Sequence, residues 1–415
     1  MSYRYIIAFS FITGLCILLD LYTWQGLKRT VKKRVFNFFK WFIPLATFFF
    51  FLGFILNIYR AGQGIHNAHY LLNIIVGFTF GVFIAKLLIA IPFIIEDFIR
   101  YTFFLIQKIR RNKTIKTSVP SRRKFVRNLS LAMAAVPLSG TIYAITRGKY
   151  NFEVKKISLS FKSLPTIFDG IKIVQFSDFH AGSFDDPEAV KYGLSLINEQ
   201  NPDVIVFTGD LVNNRAVEAT PYLEMLKELN APLGKFAILG NHDYGNYMPF
   251  NGEHEENKNW EQLLETYEKA GFKLLLNEHV QLKRNNAYVN IIGVENWGNP
   301  PFQQYGDLSK ATNHLPNDGF NILLSHDPDH WESQIINHPT HFHLTLSGHT
   351  HGAQFGVNIP GWKWSPVKYR YKHWLGHYTK NKQHLFVSKG FGFLGFPGRI
   401  GMSPEIVVFN LNNSA

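Results

Sequence analysis

The apolar rhythm of the chain changes once, near residue 148. Before that point four stretches, residues 5–24, 39–59, 70–95 and 129–145, are apolar almost throughout. About 20 helical residues cross a bilayer core of about 30 Å, so each stretch predicts a transmembrane helix. Lys86 lies in the third, and Pro137 and Gly140 interrupt the fourth, for which a short buried or interfacial helix is the alternative. From residue 149 to 415 the apolar residues come instead in short runs bounded by turn formers. Strands are predicted at 156–161, 171–177, 203–209, 235–240, 288–294, 321–326, 343–348, 384–390 and 405–411, with helical periods at 187–199, 222–229 and 256–270. The chain therefore reads as a membrane region, 1–148, followed by a mixed-sheet α/β domain, 149–415.

Charge sharpens that division. A formal net charge of +13 would suit a nucleic-acid partner if it were spread along the chain. Residues 1–127, however, hold 19 Lys plus Arg against 3 acidic residues, and the remainder holds 24 against 27. The excess lies among the apolar stretches, so membrane topology accounts for it and no nucleic-acid partner is expected. Lys28, Arg29, Lys32, Lys33 and Arg34 separate the first two stretches, Arg60 stands alone in the next gap, and ten basic residues from Arg100 to Arg127 fill the third. By the positive-inside rule the first and third loops are cytoplasmic, which leaves the α/β domain on the outer, periplasmic or extracytoplasmic side of the cell membrane. The segment SRRKFVRNLSLAMAAVPLSG, Ser121 to Gly140, resembles a twin-arginine export signal set inside the chain, the alternative being the basic flank of an ordinary membrane helix. The single cysteine, Cys16, excludes an intrachain disulfide or a thiolate metal site.

Candidate chemistry gathers where the predicted strands end. FSDFH supplies Asp178 and His180, FTGDLVNN supplies Asp210, LGNHDY supplies Asn241, His242 and Asp243, LLSHDP supplies His326, and LTLSGHTHGAQ supplies His349 and His351. One H-x-H triplet is expected roughly once by chance in such a histidine-rich chain, and the pair His341 and His343 has no such company. Neutral imidazole, carboxylate and amide oxygen form a donor set suited to first-row divalent ions such as Mn, Fe or Zn. Leaving aside His242 and Asp243, beside the ligand candidate Asn241, seven candidate ligands exceed one open catalytic ion and suit two, and two cations held that close need a charged oxygen between them, for which Asp210 is the natural bridge. In extended backbone residues i and i+2 point the same way, so Asp178 and His180 could reach one ion. The turn at Thr350 could splay His349 and His351 toward two, with Gly348 and Gly352 allowing tight bends.

The ordered series D-x-H, G-D, G-N-H-D, a lone His and G-H-x-H resembles the calcineurin-like metallophosphoesterases, and residues 154–411 look like their membrane-associated bacterial branch, which includes twin-arginine-exported enzymes. The resemblance implies a four-layer α/β/β/α sandwich of two mixed sheets, which the apolar stretches set behind a bundle of about four transmembrane helices. It implies two divalent ions, one held by Asp178, His180, Asp210 and His351, the other by Asp210, Asn241, His326 and His349. His242 would stabilise charge at the substrate phosphate or protonate the leaving oxygen, with Asp243 orienting its ring. The expected reaction is hydrolysis of a phosphate ester, above all a phosphodiester of lipid or cell-envelope origin, by in-line attack of a metal-bridging hydroxide. Asn213 and Asn214 stand where the branch often has an acidic residue, His343 where it usually has Asp, and Ala353 where Gly is usual. Arg399 is read either as a fork for phosphate or as a solvated turn residue, and Lys389 as surface. His254, His279, His314, His330, His341, His343, His373, His377 and His384 read as surface or core. The aromatic and basic stretch 360–378 reads as a rim near the site or the membrane surface. The rival readings are a hydrolase of the UDP-diacylglucosamine pyrophosphatase kind at the cytoplasmic face, and a non-catalytic sensor on the same fold.

Overall fold

The computed structural model describes residues 3–28, 31–63, 70–110, 120–316 and 319–414. They divide into two compact units, the first ending at Ile145 and the second beginning at Thr146.

The first unit holds four long helices: α1 (Tyr3–Lys28), α2 (Lys33–Gly62), α3 (Tyr70–Arg110) and α4 (Pro120–Thr146). Lys33–Arg60, Leu71–Ile109 and Lys124–Thr146 are long and apolar enough to cross a membrane. The fourth stretch is thus a full-length helix rather than a short one. Large apolar side chains such as Phe48, Phe98 and Trp41 face outward, while polar groups pair inward. Lys86 Nζ lies 2.7 Å from Asp20 Oδ1 and 2.5 Å from Thr47 Oγ1, and Thr47 donates to Asp20 Oδ2 at 2.6 Å. The lysine noticed in the third stretch is therefore a buried, satisfied cation. Arg29, Arg111, Lys113 and Lys116, on which the expected orientation partly rests, lie outside the described residues.

In chain order the second unit contains β1 (Glu153–Phe161), β2 (Ile171–Phe176), α5 (Pro187–Glu199), β3 (Val204–Phe207), α6 (Leu223–Lys227), β4 (Lys235–Ala237), α7 (Glu253–Lys269), β5 (Lys273–Leu274), β6 (Glu278–Arg284), β7 (Ala287–Gly293), α8 (Leu308–Ala311), β8 (Phe320–Leu324), α9 (Asp329–Ser333), β9 (Leu344–Ser347), β10 (Val357–Ile359), β11 (Trp362–Trp364), β12 (Gly376–Lys380), β13 (Gln383–Val387) and β14 (Glu405–Asn413). They form two six-stranded mixed sheets, in the orders β1-β14-β2-β3-β4-β5 and β12-β13-β9-β8-β7-β6, and a small β10–β11 hairpin. β2, β3, β4 and β5 run parallel in one sheet, and β13, β9, β8 and β7 in the other.

Apolar clusters follow from the strand periodicity. Ile173, Val204 and Val206 of the first sheet share one cluster with Ile291, Ile322 and Leu344 of the second. Val174, Ile205 and Phe207, alternating with these residues along β2 and β3, pack against Val190, Leu194 and Ile197 of α5 and Leu263 and Tyr267 of α7. Each such fully buried side chain contributes about 1.5–3 kcal/mol. Helix α5 starts where Asp186 accepts from the Ala189 amide and Pro187 fills a position needing no donor. Trp331 and Ile335 cover the outer face of the second sheet with Leu323 and Leu385.

Candidate metal centre

Every candidate ligand follows the carboxyl end of a parallel strand, where loops can vary while the sheet holds their stems. β2 leads to Asp178 and His180, β3 to Asp210, β4 to Asn241 and His242, β8 to His326, and β9 to His349 and His351. Polar contacts tie the two sheets together here. The Gln175 amide donates to the Ser347 carbonyl at 3.0 Å, and the His349 amide donates to Asp178 Oδ1 at 2.8 Å. A Cβ on Gly348 would strike Ser177 Oγ and Asp178 Oδ2, so the close approach requires glycine.

Two groups result. Ligand atoms of Asp178, His180 and His351 lie within 4.8 Å of one another, as do those of Asp210, His326 and His349. One oxygen stands between the groups: Asp210 Oδ2 is 3.5 Å from His180 Nε2 and 3.2 Å from His326 Nε2. Asp178 Oδ2 and Asn241 Oδ1 are buried without a hydrogen-bond partner. A buried acceptor left unpaired costs about 1–3 kcal/mol, a cost that a cation at those lone pairs would remove. The donors present therefore fit divalent ions.

The backbone route differs from the expected one. Asp178 and His180 do converge on one group, but with φ of 52° and 51° they are not extended. His349 and His351, with φ of 72° and 51°, turn into different groups, as the turn at Thr350 was expected to allow. Asp210 is left-handed as well, with φ of 60°. Such conformations cost of order 1–3 kcal/mol each, and surrounding bonds such as Asp178 N to Gly209 O hold them in place.

Electrostatics keeps most of the rings neutral. Burial pushes His349 and His351 far below the ordinary imidazole range, assisted at His351 by His180 and by the Arg399 guanidinium. Burial lowers His180 to about 3. His326 is the exception: burial opposes its charge, yet the Asp210 carboxylate outweighs burial and raises it to about 10.

His242 is half-buried, its ring stacked on Tyr247 at 4.4 Å, and its Nδ1 donates to the Asn213 carbonyl at 2.8 Å. Its Nε2 has no partner among the described residues. Asp243 does not orient this ring. Its carboxylate instead accepts from the amides of Gly240 and Asp210, both at 2.9 Å, and Leu211 at 2.7 Å, clasping the Asp210 loop to the Asn241 loop. Arg399 is neither solvated nor open to phosphate. At 1% exposure it donates to the carbonyls of Gly392, Met402 and Lys389 and lies 3.2 Å from His351 Nδ1, so its cation braces the back of that ring. Lys389 is buried and ion-paired with Glu153 at 2.8 Å rather than on the surface. None of the other histidines enters either group.

Four contributors escaped the sequence reading. Asn213, noted only as a departure, holds His180 Nδ1 through its Oδ1 at 3.2 Å. Tyr247 accepts from Asn241 Nδ2 at 2.8 Å. His349 turns Nδ1 toward His326 and sets Nε2 2.7 Å from the Tyr371 hydroxyl and 3.5 Å from Asp327 Oδ2. Asp327, directly after His326, carried a signal by adjacency; Tyr371 lay too far along the chain to carry one.

Comparison with known proteins places the chain among named families. A model of the family described as "Calcineurin-like phosphoesterase" matches residues 171–353, and one described as "Probable Calcineurin-like phosphoesterase, transmembrane domain" matches residues 3–149. The chain is 33% identical over 302 residues to the "Uncharacterized metallophosphoesterase YkuE" of Bacillus subtilis, covering 71% of this chain and 98% of that one. It is 28% identical over 392 residues to the "Uncharacterized metallophosphoesterase Cj0846" of Campylobacter jejuni, covering 92% and 93%. A "Transmembrane protein with metallophosphoesterase domain" of Danio rerio is 27% identical over 306 residues, covering 72% of this chain and 65% of that one.

Proposed function

This chain belongs to the calcineurin-like metallophosphoesterases, membrane-associated and metal-dependent phosphoester hydrolases, and from that membership we propose that it cleaves phosphodiesters of lipid or envelope origin at a centre of two divalent ions. Asp178, His180, Asp210 and His351 would hold one ion, and Asp210, Asn241, His326 and His349 the other. The observation that carries this reading is the single oxygen, Asp210 Oδ2, within 3.5 Å of an imidazole nitrogen from each group. When bound, Mn, Fe or Zn ions would supply Lewis acidity and make water a nucleophile near neutral pH. The chain's own residues do the rest. Asn213 holds the His180 ring and, through its carbonyl, the Nδ1–H tautomer of His242. That tautomer leaves His242 Nε2 as the nitrogen able to carry a proton to the leaving oxygen.

Chelation and reloading of the purified full chain test the centre. Hydrolysis of bis(p-nitrophenyl) phosphate should vanish on chelation and return as two ions bind per chain; full activity with one ion would refute the pair. The reloading should also release protons. An imidazole binds metal only when neutral, and His326, raised to about 10, is protonated below that value in the stripped chain. Apparent affinity at the second group should therefore rise about tenfold per pH unit through neutrality and level off near pH 10. Calorimetry in two buffers of different ionisation enthalpy reads this directly, and equal heats would contradict it.

We read the α/β unit as lying on the extracytoplasmic face of a multi-pass protein, a placement supported by the bias of basic residues between the apolar stretches. In intact cells, a Cys16→Ser, Tyr192→Cys chain should be labelled by a membrane-impermeant maleimide added outside. Labelling only after lysis would favour the cytoplasmic face.

A further inference from the structure

One long stretch of the second unit carries basic residues and no acidic ones. Residues 333–404 contain eight Lys plus Arg and no Asp or Glu, although residues 128–415 as a whole hold 24 basic against 27 acidic residues. Several of the eight are neutralised in place: Lys372 and Lys380 reach Glu332, Arg370 approaches Asp329, and Lys389 pairs with Glu153. Lys363 and Lys368 are exposed and form no ion pair among the described residues. A second ammonium lies close by, since a Cβ on Gly376 would stand 3.3 Å from Lys363 Nζ and 3.9 Å from Lys155 Nζ.

The same surface carries apolar side chains held out in solvent. Ile359 and Trp362, at the turn of the β10–β11 hairpin, are 54% and 56% exposed, and Phe355 and Tyr369 beside it are 47% and 76% exposed. Aromatic rings ringed by lysines match the boundary layer of a bilayer, where the rings enter the headgroup region and the ammonium groups meet phosphates. This surface is therefore apolar and cationic at once. It is also joined to the metal-centre loops: Ser365 Oγ donates to the Gly352 carbonyl at 2.8 Å, and Thr350 Oγ1 donates to the Trp374 carbonyl at 2.7 Å.

We propose that residues 355–369 form an interfacial docking surface for anionic phospholipid headgroups, seating the rim of the metal centre on a bilayer. The lipid contact stands on this surface alone, whereas its benefit to catalysis rests on the proposed hydrolysis of lipid-borne phosphoesters.

The full chain in nanodiscs tests this, with a polarity-sensitive fluorophore on Ile359→Cys in a Cys16→Ser background and a control label on Tyr192→Cys. With phosphatidylglycerol present, emission from position 359 should shift to the blue and be quenched by headgroup spin labels, while phosphatidylcholine alone gives neither effect and the control stays constant. Lys363→Glu with Lys368→Glu should weaken the response to phosphatidylglycerol by about tenfold or more. Identical emission from position 359 in both lipids would overturn the proposal, as would a shift given by single-stranded oligonucleotide and not by anionic lipid. Turnover of soluble bis(p-nitrophenyl) phosphate in the same nanodiscs separates the two readings. Its loss with the shift intact would count against the phosphoesterase reading alone, and its retention without the shift against the docking surface alone.

Discussion

Asp210→Asn is expected to lower phosphodiester hydrolysis by about a thousandfold or more, the scale of several kcal/mol of metal-ion stabilisation. The change is isosteric. An asparagine oxygen can still accept from the His242 amide, as Asp210 Oδ1 does at 2.8 Å, so the loop and the thermal unfolding of the chain should survive. What disappears is the negative charge within 3.5 Å of His180 and His326, which would hold two cations side by side. Bound metal should fall below two ions per chain. The same carboxylate raises His326, so proton release on metal binding should shrink as well. Two tightly held ions in an inactive Asp210→Asn chain would remove Asp210 from the bridging role.

His242→Ala is expected to cost about a hundred- to ten-thousandfold in turnover, the usual range for a general acid, with both ions retained. The ring is absent from both ligand groups, and its Nδ1 is committed to the Asn213 carbonyl, so its removal opens no coordination position. The leaving group makes the test specific. An aryl oxide departs with little help, whereas an alkoxide needs a proton, so the defect should be small on a p-nitrophenyl ester and large on an alkyl ester. A uniform defect across leaving groups would point to binding of the phosphate instead. Loss of metal equal to that in Asp210→Asn would contradict a separate role for His242.

Much of the fold was legible because burial leaves a periodic mark. β2, β3, β7, β8, β9, β13 and β14 lie inside their sheets and carry the apolar runs expected of them. β5, β6 and β12 were missed for the same reason: they are edge strands, half in solvent, and β6 reads EHVQLKR with only Leu282 buried. The site was legible through its spacing, since each ligand follows a strand end. Its supports were less so. Asp243, Arg399 and Lys389 were named or weighed from their neighbours along the chain, yet their partners are Asp210, His351 and Glu153, which folding alone brings near.

The sequence by itself determined the division into an apolar helical region and an α/β unit, the donor types, and the strand ends that carry them, because these depend on local pattern and side-chain chemistry. Tertiary structure alone decided the separations within each group, the left-handed backbone at the ligands, and what holds each imidazole. Those outcomes depend on two sheets meeting at the carboxyl ends of their strands and on left-handed residues in the connecting loops. Contacts such as those of Asp243, Arg399 and Tyr371 with residues far away in sequence are fixed by that packing, and the motif around each carries no trace of them.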